Sequence, residues 1–293
     1  MCGIAGIISN SATNDLQNTL QRMTDAIVHR GPDEAGFYVH QRVGLGMRRL
    51  SIIDVQGGQQ PISNETGDVQ VVSNGEVYNH RDLRKSLLDA GHRLESHTDT
   101  EVIAHLYEDK GPECFRDMRG MFGTAIWDER NQQLVLGRDR LGKKPLYYAF
   151  SSNGQFLFGS EIKSLLAADA SLGEPDFTRL AEYLQFGYLH EPNTFYRRIF
   201  KLPAGHYGIL KDGQFQIRSF WDLDFQVDES RSWEDWAEAL DAAILESVSV
   251  RLESEVPLGV FLSGGIDSSA IVAYAHAAGL SPLRTFTIAF DRP

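Results

Sequence analysis

Cys2 follows the initiator methionine, so removal of Met1 puts a thiol and a free α-amino group on one residue. Together they make a nucleophile and its base. The thiolate is the reactive form of cysteine, and an α-amine of pKa about 7.7–8.0 can take the thiol proton near neutrality. The side chain at position 2 is small, which makes Met1 removable. The opposing reading is that Cys2 is a small buried hydrophobe. A second string with chemistry in it is Ser263-Gly264-Gly265-Ile266-Asp267-Ser268-Ser269. Adjacent glycines let backbone N–H groups approach an anion, and the string feeds a helix start whose unpaired N–H groups and dipole favour negative charge. Ser263, Ser268 and Ser269 add hydroxyl donors. A glycine turn of this kind is also often only structural.

The elements that must position these groups fall into two regimes. Up to about residue 228, short strands alternate with isolated helices. Ile4–Ile8 reads as a buried strand, and Leu16, Leu20, Met23 and Ile27 mark one face of a helix. Strand-like runs follow at Val43–Ile53, Val69–Val77, Met121–Trp127, Gln133–Leu136 and Gln155–Phe158, interrupted by helices through Leu83 and Leu87 and through Ile103, Leu106 and Tyr107. Antiparallel strands with separate helices predict an α+β sandwich. From residue 229 the pattern changes. Ser232 and Asp235 form a capping-box-like start, and Trp236, Leu240, Ile244, Val248 and Leu252 make an apolar stripe whose tryptophans are expected in the core. A strand at Val256–Leu262, the glycine string, a helix at Ala270–Ala278 and a strand at Thr285–Phe290 predict a βαβ unit beginning a parallel sheet.

Several further strings occur in a fixed order: MCGIAGI at the start, His29-Arg30-Gly31-Pro32-Asp33, Arg49-Leu50-Ser51-Ile52, Asn74-Gly75-Glu76-Val77-Tyr78-Asn79 and Asp99-Thr100-Glu101. Gly137 to Gly142, Lys144 to Tyr148 and Ser160 to Ser164 continue the series. The order resembles class II glutamine amidotransferases, and specifically the glutamine-hydrolysing asparagine synthetase family. The resemblance implies the four-layer αββα fold of N-terminal-nucleophile hydrolases over residues 1–228, including a connecting hairpin. Residues 229–293 would be the incomplete, truncated start of an α/β ATP-pyrophosphatase domain. It implies Cys2 as nucleophile, with the Asn74 side chain and Gly75 N–H as oxyanion donors. Arg49 would hold the glutamine carboxylate, and Glu76 and Asp99 the ammonium. Other readings of the same residues stay open: Arg49 as a surface ion pair, Asn74-Gly75 as a type I′ turn, Asp99 as a helix N-cap. His29 is expected to be structural and Cys114 a core thiol. The Ser-Gly-Gly-x-Asp-Ser string resembles the pyrophosphate loop of ATP pyrophosphatases, implying ATP on Leu262, Ser263, Gly264, Gly265, Asp267, Ser268 and Ile288. Asp267, too acidic to sit beside triphosphate alone, would be the Mg²⁺ ligand.

Combined, the resemblance implies asparagine synthesis. Cys2 would release ammonia from glutamine, and the ammonia would aminate an aspartyl-adenylate made from aspartate and ATP. Alternatives are a different acceptor carboxylate, a glutaminase alone, or a sensing module, which the retained Cys2 disfavours. The net charge of −12, from 28 basic and 40 acidic residues, argues against nucleic acid as a partner. Two cysteines are too few for a disulfide scaffold and suit a reducing cytoplasm. No apolar run has the length of a membrane span, and no signal-peptide pattern opens the chain. A homodimer is left open. Lys143 stands where relatives commonly carry an apolar residue.

Overall fold

The computed structural model describes residues 2–10 and 15–290, which divide between Asp222 and Leu223 into two compact units. The first unit opens with β1 (Gly3–Ile8), α1 (Leu16–Asp25), β2 (Glu34–His40), β3 (Val43–Arg49), β4 (Ile62–Ser63) and β5 (Val69–Val77). It continues with α2 (His80–Asp89), α3 (Glu101–Lys110), β6 (Gly120–Asp128), β7 (Gln133–Arg138), β8 (Tyr147–Phe150) and β9 (Phe156–Gly159). It closes with α4 (Ile162–Ala168), α5 (Leu180–Phe186), β10 (Ile199–Lys201), β11 (His206–Lys211) and β12 (Gln214–Ser219). Two six-stranded sheets result, ordered β10-β8-β9-β1-β3-β2 and β12-β11-β7-β6-β5-β4, with every pairing antiparallel.

The twofold period of a strand sorts side chains into three cores. On β1, Ile4 and Ile8 enter the core between the sheets, whereas Ala5 and Ile7 face the core formed with α1 and α4. On β5, Val72 enters the inter-sheet core, whereas Val69 and Val71 join a third core built with α3. Helix, sheet, sheet and helix therefore stack as four layers, the α+β sandwich that the resemblance implies. β11 and β12, expected only as a connecting hairpin, extend the second sheet through β11 pairing with β7.

Two expectations about strands are corrected. β3 stops at Arg49 rather than Ile53, because the chain beyond it curls back so that the carbonyls of residues 53–55 meet the Arg49 guanidinium. The strands expected at Val256–Leu262 and Thr285–Phe290 shrink to β13 (Val260–Phe261) and β14 (Thr285–Phe286), which pair in parallel. The second unit also contains α6 (Trp233–Ser249), started by the capping box of Ser232 and Asp235, and α7 (Ile266–Ala277). The apolar stripe on α6 is not core. Trp233 is 81%, Trp236 45% and Leu240 61% exposed, and Val248 is the one buried residue of the helix. A stripe buries only against an opposing layer, and the described residues of this unit provide α7 and a two-stranded sheet. Trp236 instead stacks under Arg231, whose guanidinium carbon lies 4.7 Å from the ring centroid.

Candidate active site

Strand parity gathers the site. Val43, Leu45 and Met47 of β3 face the inter-sheet core, so Arg49 continues that face. Val72 does so on β5, so Asn74 and Glu76 continue it. Cys2, next to β1, packs against the same core. The register Ile4↔Met47 and Gly3↔Arg48, extended by one pair, sets Cys2 across from Arg49. Four groups from three segments far apart in sequence thus converge where the inter-sheet gap opens. There they line a cavity of about 150 Å³ together with Gly75, Gln60, Asp99, Thr100, Met121 and Lys144.

Cys2 is held on both sides. Its carbonyl accepts from Arg30 Nε at 2.8 Å, its sulfur accepts from Leu50 N–H at 3.4 Å, and its thiol faces Leu50 O at 3.6 Å. Burial pushes the thiol above the usual cysteine value, with the Leu50 N–H acting against that. Arg30 is itself tied to Glu161 at 2.9 Å, as is His29. His29 spends its imidazole on that contact and does not line the Cys2 cavity.

Asn74 and Gly75 lie inside β5, paired with Gly123 and Phe122, which excludes the type I′ turn. Asn74 is fully buried, yet neither Oδ1 nor Nδ2 finds a hydrogen-bond partner among the described residues. Leaving a buried amide unsatisfied costs about 1–3 kcal/mol, and such groups mark sites where a ligand completes the bonding. Position 75 admits only glycine, since a Cβ would lie 2.0 Å from Met121 O on β6.

Asp99 accepts from Val77 N–H at 2.7 Å and from the Thr98 hydroxyl at 3.3 Å. It is no helix cap, because α3 is preceded by Thr100, which makes no side-chain cap bond. Burial raises its carboxyl above the ordinary carboxylate range, opposed by the Val77 N–H. Arg49 is more occupied than its expected role requires. Nη1 donates to Glu34 Oε2 at 3.0 Å and Val55 O at 3.2 Å, and Nη2 to Ile53 O at 3.0 Å and Asp54 O at 2.7 Å. It is neither on the surface nor only an ion pair: it braces one wall of the cavity.

Three lining or supporting residues escape sequence reasoning. Gln60 bridges β5 and α3, accepting from Ser73 N–H at 2.7 Å and donating to Thr100 Oγ1 at 3.1 Å. Arg30 positions Cys2 as described. Lys144 is buried in the cavity, where burial lowers its ammonium pKa and Glu76 acts against that. The neighbouring Asp139 carboxylate accepts the N–H groups of Phe122, Leu141, Lys143 and Lys144. Arg138 Nε donates to Lys144 O at 2.8 Å. The Gly-Arg-Asp-Arg string is thus a loop builder that delivers Lys144. Cys114 lies in the α3 core at zero exposure.

In the second unit, Leu262, Ser263, Gly264 and Gly265 link β13 to α7, whose first turn carries Asp267 and Ser268. Gly264 has φ +83°, a left-handed conformation that favours glycine. The serine hydroxyls are already engaged: Ser263 Oγ and Ser268 Oγ lie 3.0 Å apart, and Ser268 Oγ donates to Gly265 O at 3.1 Å. Leu262 N–H donates to Phe286 O at 2.9 Å, and Ile288 is 78% exposed.

With this geometry in hand, residues 1–221 match the family model described as glutamine amidotransferase domain. The chain belongs to that family. Residues 239–293 match the model described as asparagine synthase. Asparagine synthetase [glutamine-hydrolyzing] 1 of Bacillus subtilis is 38% identical over 100% of this chain and 46% of its own length. Asparagine synthetase B [glutamine-hydrolyzing] of Escherichia coli is 34% identical over 93% of the chain and 44% of its own length. The chain thus spans about half the length of the curated relatives it matches. A glutamine phosphoribosylpyrophosphate amidotransferase from B. subtilis superposes with TM-score 0.54 at 17% identity, over 98% of this chain and 65% of that one, a likeness of fold. Among the described residues, no helix is long and apolar enough to cross a membrane.

Proposed function

We propose that the amidotransferase unit, once Met1 is removed, hydrolyses glutamine to glutamate and ammonia. The observation that carries this reading is the Asn74 amide, fully buried and without a partner among the described residues, in the cavity that Cys2 lines. A developing oxyanion would give Nδ2 the bond it lacks, with the Gly75 N–H as second donor. The Cys2 α-amine takes the thiol proton and returns it to the leaving ammonia, and water then cleaves the thioester. Asp99 and Glu76 meet the substrate ammonium, which draws the Asp99 carboxyl back toward its charged form. Arg49 meets the substrate carboxylate, redirecting to it hydrogen bonds now donated to the 53–55 carbonyls.

The glycine loop suits ATP with Mg²⁺. Gly264 has no heavy atom within 4 Å of where a Cβ would stand, and α7 follows Gly265, an N-cap that offers no side chain. Leu262, Ser263, Gly264, Gly265, Asp267, Ser268 and Ile288 would hold the nucleotide, with Asp267 on the metal. ATP supplies the leaving group that activates an acceptor carboxylate, and the names of the relatives favour aspartate and hence asparagine. The two unpaired cysteines suit a cytoplasmic setting.

The test joins the N-terminal mass of the purified, untagged chain with glutamate release across pH. Loss of Met1 is expected, with a rate that rises from pH 6 and levels above about 8, where the α-amine is neutral. A rate independent of pH over that range would end the assignment of the amine as base.

A further inference from the structure

Away from the Cys2 cavity, four side chains from three segments converge. Glu65 sits in the β4–β5 turn, where Gly67 N–H donates to Asn64 O at 3.1 Å. His92 follows α2, fixed by its own N–H to Leu87 O at 3.1 Å. His105 and Glu108, three residues apart, share a face of α3. One donor atom from each lies within 4.8 Å of all the others. His105 Nδ1 is 3.3 Å from His92 Nδ1 and 3.0 Å from Glu65 Oε2. His92 Nδ1 is 3.5 Å from Glu65 Oε1 and 4.0 Å from Glu108 Oε2.

We propose that Glu65, His92, His105 and Glu108 bind a divalent transition metal of the zinc type, clamping the β4–β5 turn and the end of α2 onto α3. Bonds of about 2.0–2.2 Å to nitrogen and oxygen give tetrahedral ligand edges of about 3.3–3.6 Å, the range around which these separations scatter. Two imidazole nitrogens with two carboxylates form a donor set that suits Zn²⁺ and is poor for Ca²⁺ or Mg²⁺, which take all-oxygen shells.

The surroundings of the imidazoles are the second argument. Asp109 Oδ1 lies 3.1 Å from His92 Nε2, an acceptor for an N–H at that nitrogen, and Nδ1 faces the cluster. His105 is fully buried; its Nε2 makes no hydrogen bond among the described residues but faces Glu101 Oε1 at 3.9 Å. Each imidazole therefore points one nitrogen inward, and His92 also has a carboxylate within hydrogen-bond distance behind it, the contact that orients a histidine ligand. Without an ion, two Nδ1 atoms at 3.3 Å can share at most one proton between them, since two N–H groups would oppose each other. The side chains of Glu65 and Glu108, 30% and 25% exposed, leave a path for entry.

The role is structural. The metal would fix α3, whose N-terminus follows Asp99 and Thr100 of the Cys2 cavity, but the site is independent of any glutaminase activity. The probe is Zn²⁺ alone, added to the untagged 293-residue chain as Cys2→Ala so that the cavity thiol takes no metal. After chelator stripping, reloading and dialysis, elemental analysis should find about one zinc per chain, and Co²⁺ in its place should give the intense visible bands of a tetrahedral ion. Zinc should raise the melting temperature. His92→Ala should abolish retention, Glu65→Gln should weaken binding, and the surface change Asp109→Asn should weaken it about 10- to 100-fold. No retained zinc in the parent chain would overturn the proposal. So would retention undiminished by His92→Ala and Glu65→Gln. Should His92→Ala fail to fold, unchanged affinity in Asp109→Asn overturns it equally.

Discussion

The Cys2 cavity and the Ser263–Ser269 loop both carry an unbroken motif, yet their polar atoms stand in opposite conditions. In the cavity, the Asn74 amide is buried and unpartnered, while Cys2, Asp99 and Arg49 are each fixed by bonds to backbone or side chains. In the loop, Ser263 and Ser268 bond to each other in an exposed stretch, next to a helix with one buried residue, Ala275. Burial separates the two. Where water is excluded, an unsatisfied donor stores free energy that a ligand can release; where water enters, hydroxyls satisfy themselves and await a ligand that must displace those bonds.

The largest effect that could break this contrast lies at the nucleophile. Cys2→Ala should abolish glutamate release, and a chain that retains Met1 should fare nearly as badly, because an amide nitrogen cannot act as the base. Glutamate release at the parent rate by Cys2→Ala would show that the cavity is not the reacting centre, and the same rate in the Met1-retaining chain would end the role of the amine as base. Next comes a division of labour within the cavity. Asn74→Ala should lower kcat about a hundredfold with a smaller change in KM, since an oxyanion donor acts mainly in the transition state. Arg49→Lys should chiefly raise KM, losing both the fork for a carboxylate and the brace on residues 53–55. Steady-state kinetics that gave both variants the same signature would erase the division.

A smaller effect concerns how the cavity is held. Burial raises the Glu161 carboxyl, but hydrogen bonds from Arg30, His29 and Lys163 outweigh it and leave a pKa of about 2. A depressed carboxylate adds stability above its unfolded pKa of about 4.3 and loses it as pH falls toward 2. Denaturant midpoints at pH 7 and pH 3 should therefore differ less in Glu161→Gln than in the parent chain, and an equal difference would rule out this linkage. The smallest effect is expected in the second unit. Gly264→Ala forces a Cβ into φ +83° and should cost about 1 kcal/mol locally while leaving glutamine hydrolysis unchanged. A fall in the glutaminase rate would couple the regions that the comparison separates.

The candidate site was legible through the ordered strings that resemble the amidotransferases, and strand parity in the fold explains why those residues meet. The alternation that buries Val43, Leu45 and Met47 also fixes the side of the sheet on which Arg49 lies, and Val72 does the same for Asn74. Legibility failed where the partner was remote. The stripe on α6 looked like core, but Trp233 and Leu240 are exposed, because periodicity states that a face is apolar and says nothing of what lies opposite. β11 and β12 were read as a connection, because pairing with β7 is a long-range choice with no local signal.

By itself, then, the sequence determined the α+β class of the first unit, the order of the strings that begins with Cys2 and the capping box at Ser232. These are local matters, set by side-chain chemistry and the period of the backbone. Tertiary structure alone decided that Lys144 lines the cavity, that Gln60 bridges β5 to α3, that Arg30 holds the Cys2 carbonyl, and that Glu65, His92, His105 and Glu108 meet. Each is a contact between segments tens of residues apart or between turns, which only the packing of two sheets and their covering helices can bring within a few ångströms.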